Sequence, residues 1–218
     1  MIHTSMHRAL RALERAASRY APSRTLSFDT VHIFIALQCM HKQGKASRQS
    51  LCNDLALGEG AVKTVIKHMK MSGMISTTNG GTKMTQKGKV ILSDLQAVMP
   101  AELGLPKCSV ALGKYNYGVI LRELAYLVRS GIEQRDAALK MGATGATTLV
   151  FRDGRFVMPA SSQDSLRRER EIRKLLTQAL EPDEDDVIII GSADASEKSA
   201  ELGAKNAALF TLGSAMNR

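Results

Sequence analysis

Residues 58–84 constrain this chain more than any other stretch. "GEGAVKTVIKHMKMSGMIS" opens on a glycine-flanked turn and runs into a segment whose apolar positions, Val62, Val65, Ile66 and Met69, recur at i, i+3, i+4 and i+7. That spacing predicts one helix with a single buried stripe. Gly73 closes it. "ISTTNGGTKMT" then gives two short β-prone runs about Asn79-Gly80-Gly81, a strong hairpin signal because asparagine and glycine tolerate positive φ. Turned away from the stripe, Ala61, Lys63, Thr64, Lys67 and His68 point outward. A core must lie on one side of this helix, and a small, basic face lies on the other.

Upstream, residues 5–19 read as a helix. Met6, Leu10, Leu13 and Ala17 form its apolar stripe, and Arg8, Arg11, Arg15 and Arg19 cover the other faces. "FDTVHIFIALQCMHKQG" is apolar nearly all round, as a central buried helix is. "SRQSLCNDLAL" is a shorter helix with Ser47 as N-cap. After the hairpin a helix runs from about Gln86 to Met99. The order helix, helix, turn, helix, hairpin, helix is that of a winged helix-turn-helix. Over residues 28–90, "GEGAVKTVIKHMKMSGMIS" followed by "TKMTQKG" resembles the recognition helix, wing and closing turn of archaeal and bacterial winged-helix regulators.

Charge divides the chain at its middle. Residues 1–100 hold 14 Lys and Arg against five Asp and Glu, and residues 101–218 hold 16 of each, so the whole excess of +9 lies in the first half. A basic half beside a neutral one points to a polyanion-binding module joined to a part with another task. Small residues at the start of the helix at 60–71 let a backbone approach base edges, and Lys63 and Lys67, one turn apart, can meet phosphates or guanine acceptors. The expected DNA-binding set is Arg48, Gln49, Gly60, Ala61, Lys63, Thr64, Lys67, His68, Asn79 and Lys83. Arg48 and Gln49 open the preceding helix, and Asn79 and Lys83 belong to the hairpin. A solvated basic helix face and a hairpin that merely closes the domain are the plainer readings.

"MPAELGLPK", residues 99–107, carries two prolines and a glycine and reads as a domain boundary. The expected organisation is a DNA-binding domain over residues 1–98 and an α+β domain over 107–218 that dimerises, senses a ligand, or both. In the second half "CSVALG" reads as a strand, and "YGVILRELAYLVRSGIEQRDAALKMG" as helical. "GATTLVFRDGRFVMP" reads as two strands about Asp153-Gly154, and "DSLRREREIRKLLTQAL" as an amphipathic helix. "DDVIIIG" reads as a buried strand and "ASEKSAELGAKNAALFTL" as a last helix. The order β-α-β-β-α-β-α suggests a ferredoxin-like sandwich with an extra helix. "GIEQRDAALKMGATGATTLVFRDGRFVMP" resembles the second domain of an archaeal family of winged-helix proteins, the DUF4443 type, a resemblance that implies an architecture and no activity.

Few motifs suggest chemistry. The three cysteines, Cys39, Cys52 and Cys108, form no C-x-x-C pair and read as reduced structural residues. His3 and His7 share a helix face but do not close a zinc site. No catalytic triad or metal-ligand spacing emerges, so neither a cofactor nor a metal is expected. Lys114, Tyr115, Asn116 and Tyr117, between a predicted strand and helix, are the candidate ligand rim. The N-terminal segment lacks an apolar signal region and no run reaches membrane-span length, so a cytoplasmic protein is expected. The leading expectation is a non-enzymatic transcriptional regulator that binds duplex DNA, with a small-molecule effector as an option. The alternative is an enzyme with a fused winged helix. A homodimer is also expected, built on two stripes that a small domain need not consume: Met6, Leu10 and Leu13 in one helix, Ile91, Leu95 and Val98 in another.

Overall fold

A computed structural model describes residues 2–18, 26–78 and 80–215. The chain divides into two compact units, 1–95 and 96–218. The first is helical with one β-hairpin; the second is a five-stranded antiparallel sheet with helices. The protein is therefore α+β.

The first unit holds α1 (Ile2–Ala16), α2 (Thr30–Gln43), α3 (Arg48–Leu55), α4 (Glu59–Met71), β1 (Ile75–Thr78), β2 (Gly81–Met84) and most of α5 (Gln86–Gln96). α2 is the central helix. Ile33, Phe34, Ile35, Leu37 and Met40 are all buried, because α1, α3, α4 and β2 surround it. Its start is fixed by a capping box: Asp29 caps the helix, and the Asp29 N–H donates to His32 Nδ1 at 3.0 Å. Burial holds the His32 imidazole below its usual pKa, against the pull of Asp29. Ser47 caps α3 as its sequence predicts: the Ser50 N–H donates to Ser47 Oγ at 3.0 Å, and the Ser47 N–H to Ser50 Oγ at 3.1 Å. The hairpin pairs Ile75 with Met84 and Thr78 with Gly81, leaving a two-residue loop whose Asn79 lies outside the described residues. Ala46, between α2 and α3, adds a third rung through two 2.9 Å backbone bonds to Thr82.

The two stripes expected to be spare are not. Met6, Leu10 and Leu13 are at most 2% exposed and Ile91, Leu95 and Val98 at most 5%, all within one chain. For the first stripe the reason is that α1 packs onto α2 and α4. These residues are not exposed for a dimer contact. Arg19 lies outside the described residues.

The second unit contains β3 (Glu102–Leu105), β4 (Tyr115–Leu121), α6 (Ile132–Leu139), β5 (Gly145–Arg152), β6 (Arg155–Val157), α7 (Arg170–Leu180), β7 (Val187–Ala193) and α8 (Glu197–Ser214). Strand order is β3-β4-β7-β5-β6, every pairing antiparallel. This corrects the ferredoxin-like expectation. The last strand inserts between β4 and β5, because the turn before it is tied to both: the Phe151 N–H donates to Asp186 O (2.9 Å), the Ala125 N–H to Asp185 O (3.0 Å) and the Glu123 N–H to Asp186 Oδ1 (2.8 Å). β7 is buried along its whole length, since α8 covers one face and α7 lies over the other. Gly191 is required there: a Cβ would come within 2.5 Å of Ala200 O and 2.6 Å of Ala204 N in α8.

Three local expectations also change. Residues 102–105, read as linker, form the edge strand β3. "YGVIL", read as the start of a helix, belongs instead to β4. "CSVALG", read as a strand, closes a tight turn in which Cys108 and Ala111 exchange backbone hydrogen bonds. The Asp153-Gly154 turn is as predicted, with both residues at positive φ and Arg152 opposite Arg155. Among the described residues no helix is long and apolar enough to cross a membrane.

Candidate nucleic-acid interface

α4 starts from Gly58 without a side-chain cap, so among the described residues its first-turn N–H groups have no capping side chain. Val62, Val65 and Met69 are fully buried, and Ile66 is half-buried at the edge of the stripe. On the opposite side Gly60, Lys63, Lys67, Lys70 and Met71 are exposed, with Ala61 and Thr64 half-exposed. A Cβ on Gly60 would meet nothing within 4 Å, so this helix start is unobstructed. The Thr64 hydroxyl donates to Gly60 O at 3.0 Å, and its oxygen keeps the capacity to accept. Glu59 is the single acidic residue of the helix and sits in its first turn.

His68 does not belong to this face. It is 5% exposed, its Nδ1 lies 2.8 Å from Ala16 O, and its ring stands edge-on to Phe28 at 5.3 Å. Helical geometry gives the reason. At 100° per residue, position 68 falls on the Val65 and Met69 side, and a polar residue can sit there because α1 offers it a carbonyl. Lys70, absent from the expected set, takes the outward place. His68→Ala should therefore lower the stability of the first unit by about 1–3 kcal/mol, the cost of a lost buried hydrogen bond and ring contact. Duplex affinity should stay unchanged at temperatures where the chain is folded. Calorimetric unfolding and anisotropy binding of the same preparation check both halves.

Arg48 and Gln49 are exposed at the first two positions of α3, and Lys83 is exposed on β2 opposite Ser76. Lys42 and Lys45 are exposed just before α3 and add to the same charge. Lys87 is engaged locally, its ammonium donating to Ser72 O at 2.7 Å at the end of α4. Arg8 pairs weakly with Asp94 at 3.6 Å.

In the second unit the expected ligand rim comes apart. Lys114 lies in the turn before β4, and Tyr115, Asn116 and Tyr117 lie along β4, where successive side chains alternate between faces. Asn116 is buried and satisfied: Oδ1 accepts from the Gly113 N–H (3.0 Å) and Ser192 Oγ (2.7 Å), and Nδ2 donates to Gly113 O (2.8 Å). It is a clamp for the turn, not a ligand contact. Lys114 lies over the Tyr115 ring at 5.1 Å. Tyr117 points the other way from Asn116, toward a charged cluster that the sequence did not reveal. There Lys205, 1% exposed, places Nζ 2.6 Å from Glu201 Oε1, 3.0 Å from Glu102 Oε1 and 5.3 Å from the Tyr117 ring centre. Lys198 holds the other Glu201 oxygen at 2.7 Å. Burial, with the charges of Glu102 and Glu201 beside it, pushes the Tyr117 hydroxyl far up, so it stays neutral. Burial alone would raise the Glu201 carboxyl, but Lys205 and Lys198 together hold it below its usual value. Glu102 and Lys205 are 103 positions apart, so only the β3–β4–α8 packing brings them together. Burial also pushes the half-buried Cys108 thiol up.

Residues 112–212 match the family described as a domain of unknown function, DUF4443. A solved structure, the hypothetical protein PH0730 from Pyrococcus horikoshii OT3, resembles the chain with a TM-score of 0.61 and 23% identity, over 83% of this chain and 90% of that one. No curated protein matches. At that identity the likeness speaks for the fold, and the second half of the chain carries a DUF4443 domain.

Proposed function

We propose that this protein is a DNA-binding transcriptional regulator whose first unit is a winged helix-turn-helix. α3 and α4 are the helix-turn-helix, α4 the recognition helix, and the β1–β2 hairpin with its Ala46 rung the wing. The observation that carries this reading is the outward face of α4: three exposed lysines, Lys63, Lys67 and Lys70, behind an unobstructed glycine start. A helix of that kind enters a major groove by its N-terminal end while its lysines meet phosphates. Arg48 and Gln49 would anchor the preceding helix to the backbone, and Lys83 would do so from the wing. The net +9 of the first unit supports the same partner.

The second unit, on this reading, joins two copies, binds an effector, or does both. α6 and α8 pack together and expose Ile132, Leu139 and Phe210, each more than 40% accessible. We place the dimer contact on those helices instead of on the two buried stripes.

The full-length protein should bind a duplex fragment with an affinity that falls steeply with salt. Five cationic contacts, from Arg48, Lys63, Lys67, Lys70 and Lys83, correspond to a slope of log K against log salt of roughly −4 to −5 for one chain. Fluorescence anisotropy between about 0.05 and 0.3 M salt measures it. A flat salt response would rule out phosphate-dominated binding.

A further inference from the structure

The loop from 158 to 169, between β6 and α7, has a fixed shape. Leu166 anchors it, fully buried. The Ser165 N–H donates to Phe156 O at 2.8 Å, Asp164 bridges to Val157, and the Gln163 N–H donates to Ser161 Oγ at 3.1 Å. From α7, Arg173 reaches back to Asp164 Oδ2 at 2.6 Å and to Gly154 O. With Ser109 and Arg155, this loop walls an open recess of about 1000 Å³.

The recess is lined by donors. Among its lining residues Ser109, Ser162 and Ser165 carry hydroxyls, and Arg155, Arg167 and Arg168 carry guanidinium groups. Its two carboxylates are already engaged: Asp164 holds Arg173 and the Leu166 N–H (3.1 Å), and Glu169 Oε1 accepts the Ser109 N–H at 2.7 Å. Arg155 is paired with Asp153 at 3.1 Å. Arg167 and Arg168, both exposed, have no carboxylate partner within ion-pair distance among the described residues. Two uncommitted guanidinium groups beside three hydroxyls supply more donors than one carboxylate can accept. Phosphate groups, with three or more acceptor oxygens each, match them. The volume stands at the upper end of the roughly 300–1,000 Å³ of small-molecule sites. No aromatic or large aliphatic side chain lines it, so recognition there is of charge rather than of an apolar ring.

We propose that this recess is a binding site for a small oligophosphate-bearing molecule, its phosphates held by Arg167 and Arg168 with the serine hydroxyls completing their hydrogen bonds. The inference stands independently of DNA binding by the first unit, and the two are separable by mutation.

Inorganic tripolyphosphate is the probe, titrated calorimetrically into the full-length protein at about 0.15 M salt, where diffuse surface attraction is largely screened. Saturable binding of one probe per chain is expected. The Arg167→Ala/Arg168→Ala variant should weaken it at least about tenfold, the scale of losing charge-assisted hydrogen bonds. A Lys63→Ala/Lys67→Ala variant should bind the probe as the parent does. Both arginines are exposed, and an unchanged unfolding temperature confirms that the variant folds; Arg167→Gln/Arg168→Gln repeats the test with side chains that keep more of the volume. Absence of saturable binding, binding unaltered by the arginine variants, or binding lost with the lysine variant would each overturn the proposal. So would a duplex fragment that displaces the probe, since the recess would then belong to a nucleic acid.

Discussion

Replacing Lys63 and Lys67 together with alanine is expected to weaken duplex binding about 10- to 100-fold at ~0.1 M salt, and to reduce the salt slope by about two. Both side chains are exposed on α4, away from Val62, Val65 and Met69, so the fold should be untouched. The two parts of the result are informative separately. A loss of affinity with an unchanged slope would mean that the lysines support the helix rather than meet phosphates. Unchanged affinity would remove α4 as the recognition element. Lys70→Ala should add a smaller loss, since it lies further from the N-terminal end that enters the groove.

The other large effect concerns the second unit. Lys205→Met is expected to cost about 3–5 kcal/mol at neutral pH, because it leaves Glu201 and Glu102 packed in the β3–β4–α8 junction with their central cation gone. The pH dependence follows from Glu201. A carboxyl held below its unfolded value adds stability above the unfolded pKa, and that contribution is lost as pH falls through the folded one. The parent should therefore lose stability on acidification below about pH 4, near the unfolded glutamate value. In Lys205→Met the balance changes: burial is less opposed, the Glu201 carboxyl moves up, and protonation relieves the penalty. The gap between variant and parent should narrow as pH falls from 7 toward 4. Adding Glu201→Gln should recover part of the loss at pH 7. Calorimetric unfolding across that range checks it, and a gap that widened toward low pH would show that the cluster does not hold Glu201 charged.

What the sequence made legible was local. The α4 stripe, the Asn79-Gly80 hairpin, the Asp153-Gly154 turn and the Ser47 cap each depend on a few neighbouring residues whose backbone preferences or periodicity agree with the fold. β7 was legible because "VIII" needs burial on both faces whatever surrounds it. β4 was not. Its residues 115–121 are also covered on both sides, so the alternation that marks a half-exposed strand is absent, and the downstream helix α6 extended the helical impression over it. β3 was hidden by Pro100 and Pro106, which flank a strand only four residues long.

The same distinction runs through the candidate sites. Lys63 and Lys67 could be placed from spacing alone. His68 is polar, which suggests an outward place, but its angle puts it on the core side, where Ala16 O satisfies it. Asn116 looked like a pocket residue until Gly113 and Ser192 accounted for its carboxamide. The Lys205 cluster and the arginine-lined recess each join segments 60 or more positions apart, Glu102 with Lys205 and Ser109 with Glu169, and no local pattern announces such a pairing.

The most direct measurement of the central claim is selection of genomic DNA fragments by the purified full-length protein, followed by sequencing of the bound pool. The winged-helix reading expects enrichment of fragments that share a short common element, lost when Lys63 and Lys67 are both alanine and retained when Arg167 and Arg168 are. A bound pool indistinguishable from the input, or an enrichment that survives the lysine replacements, would contradict it.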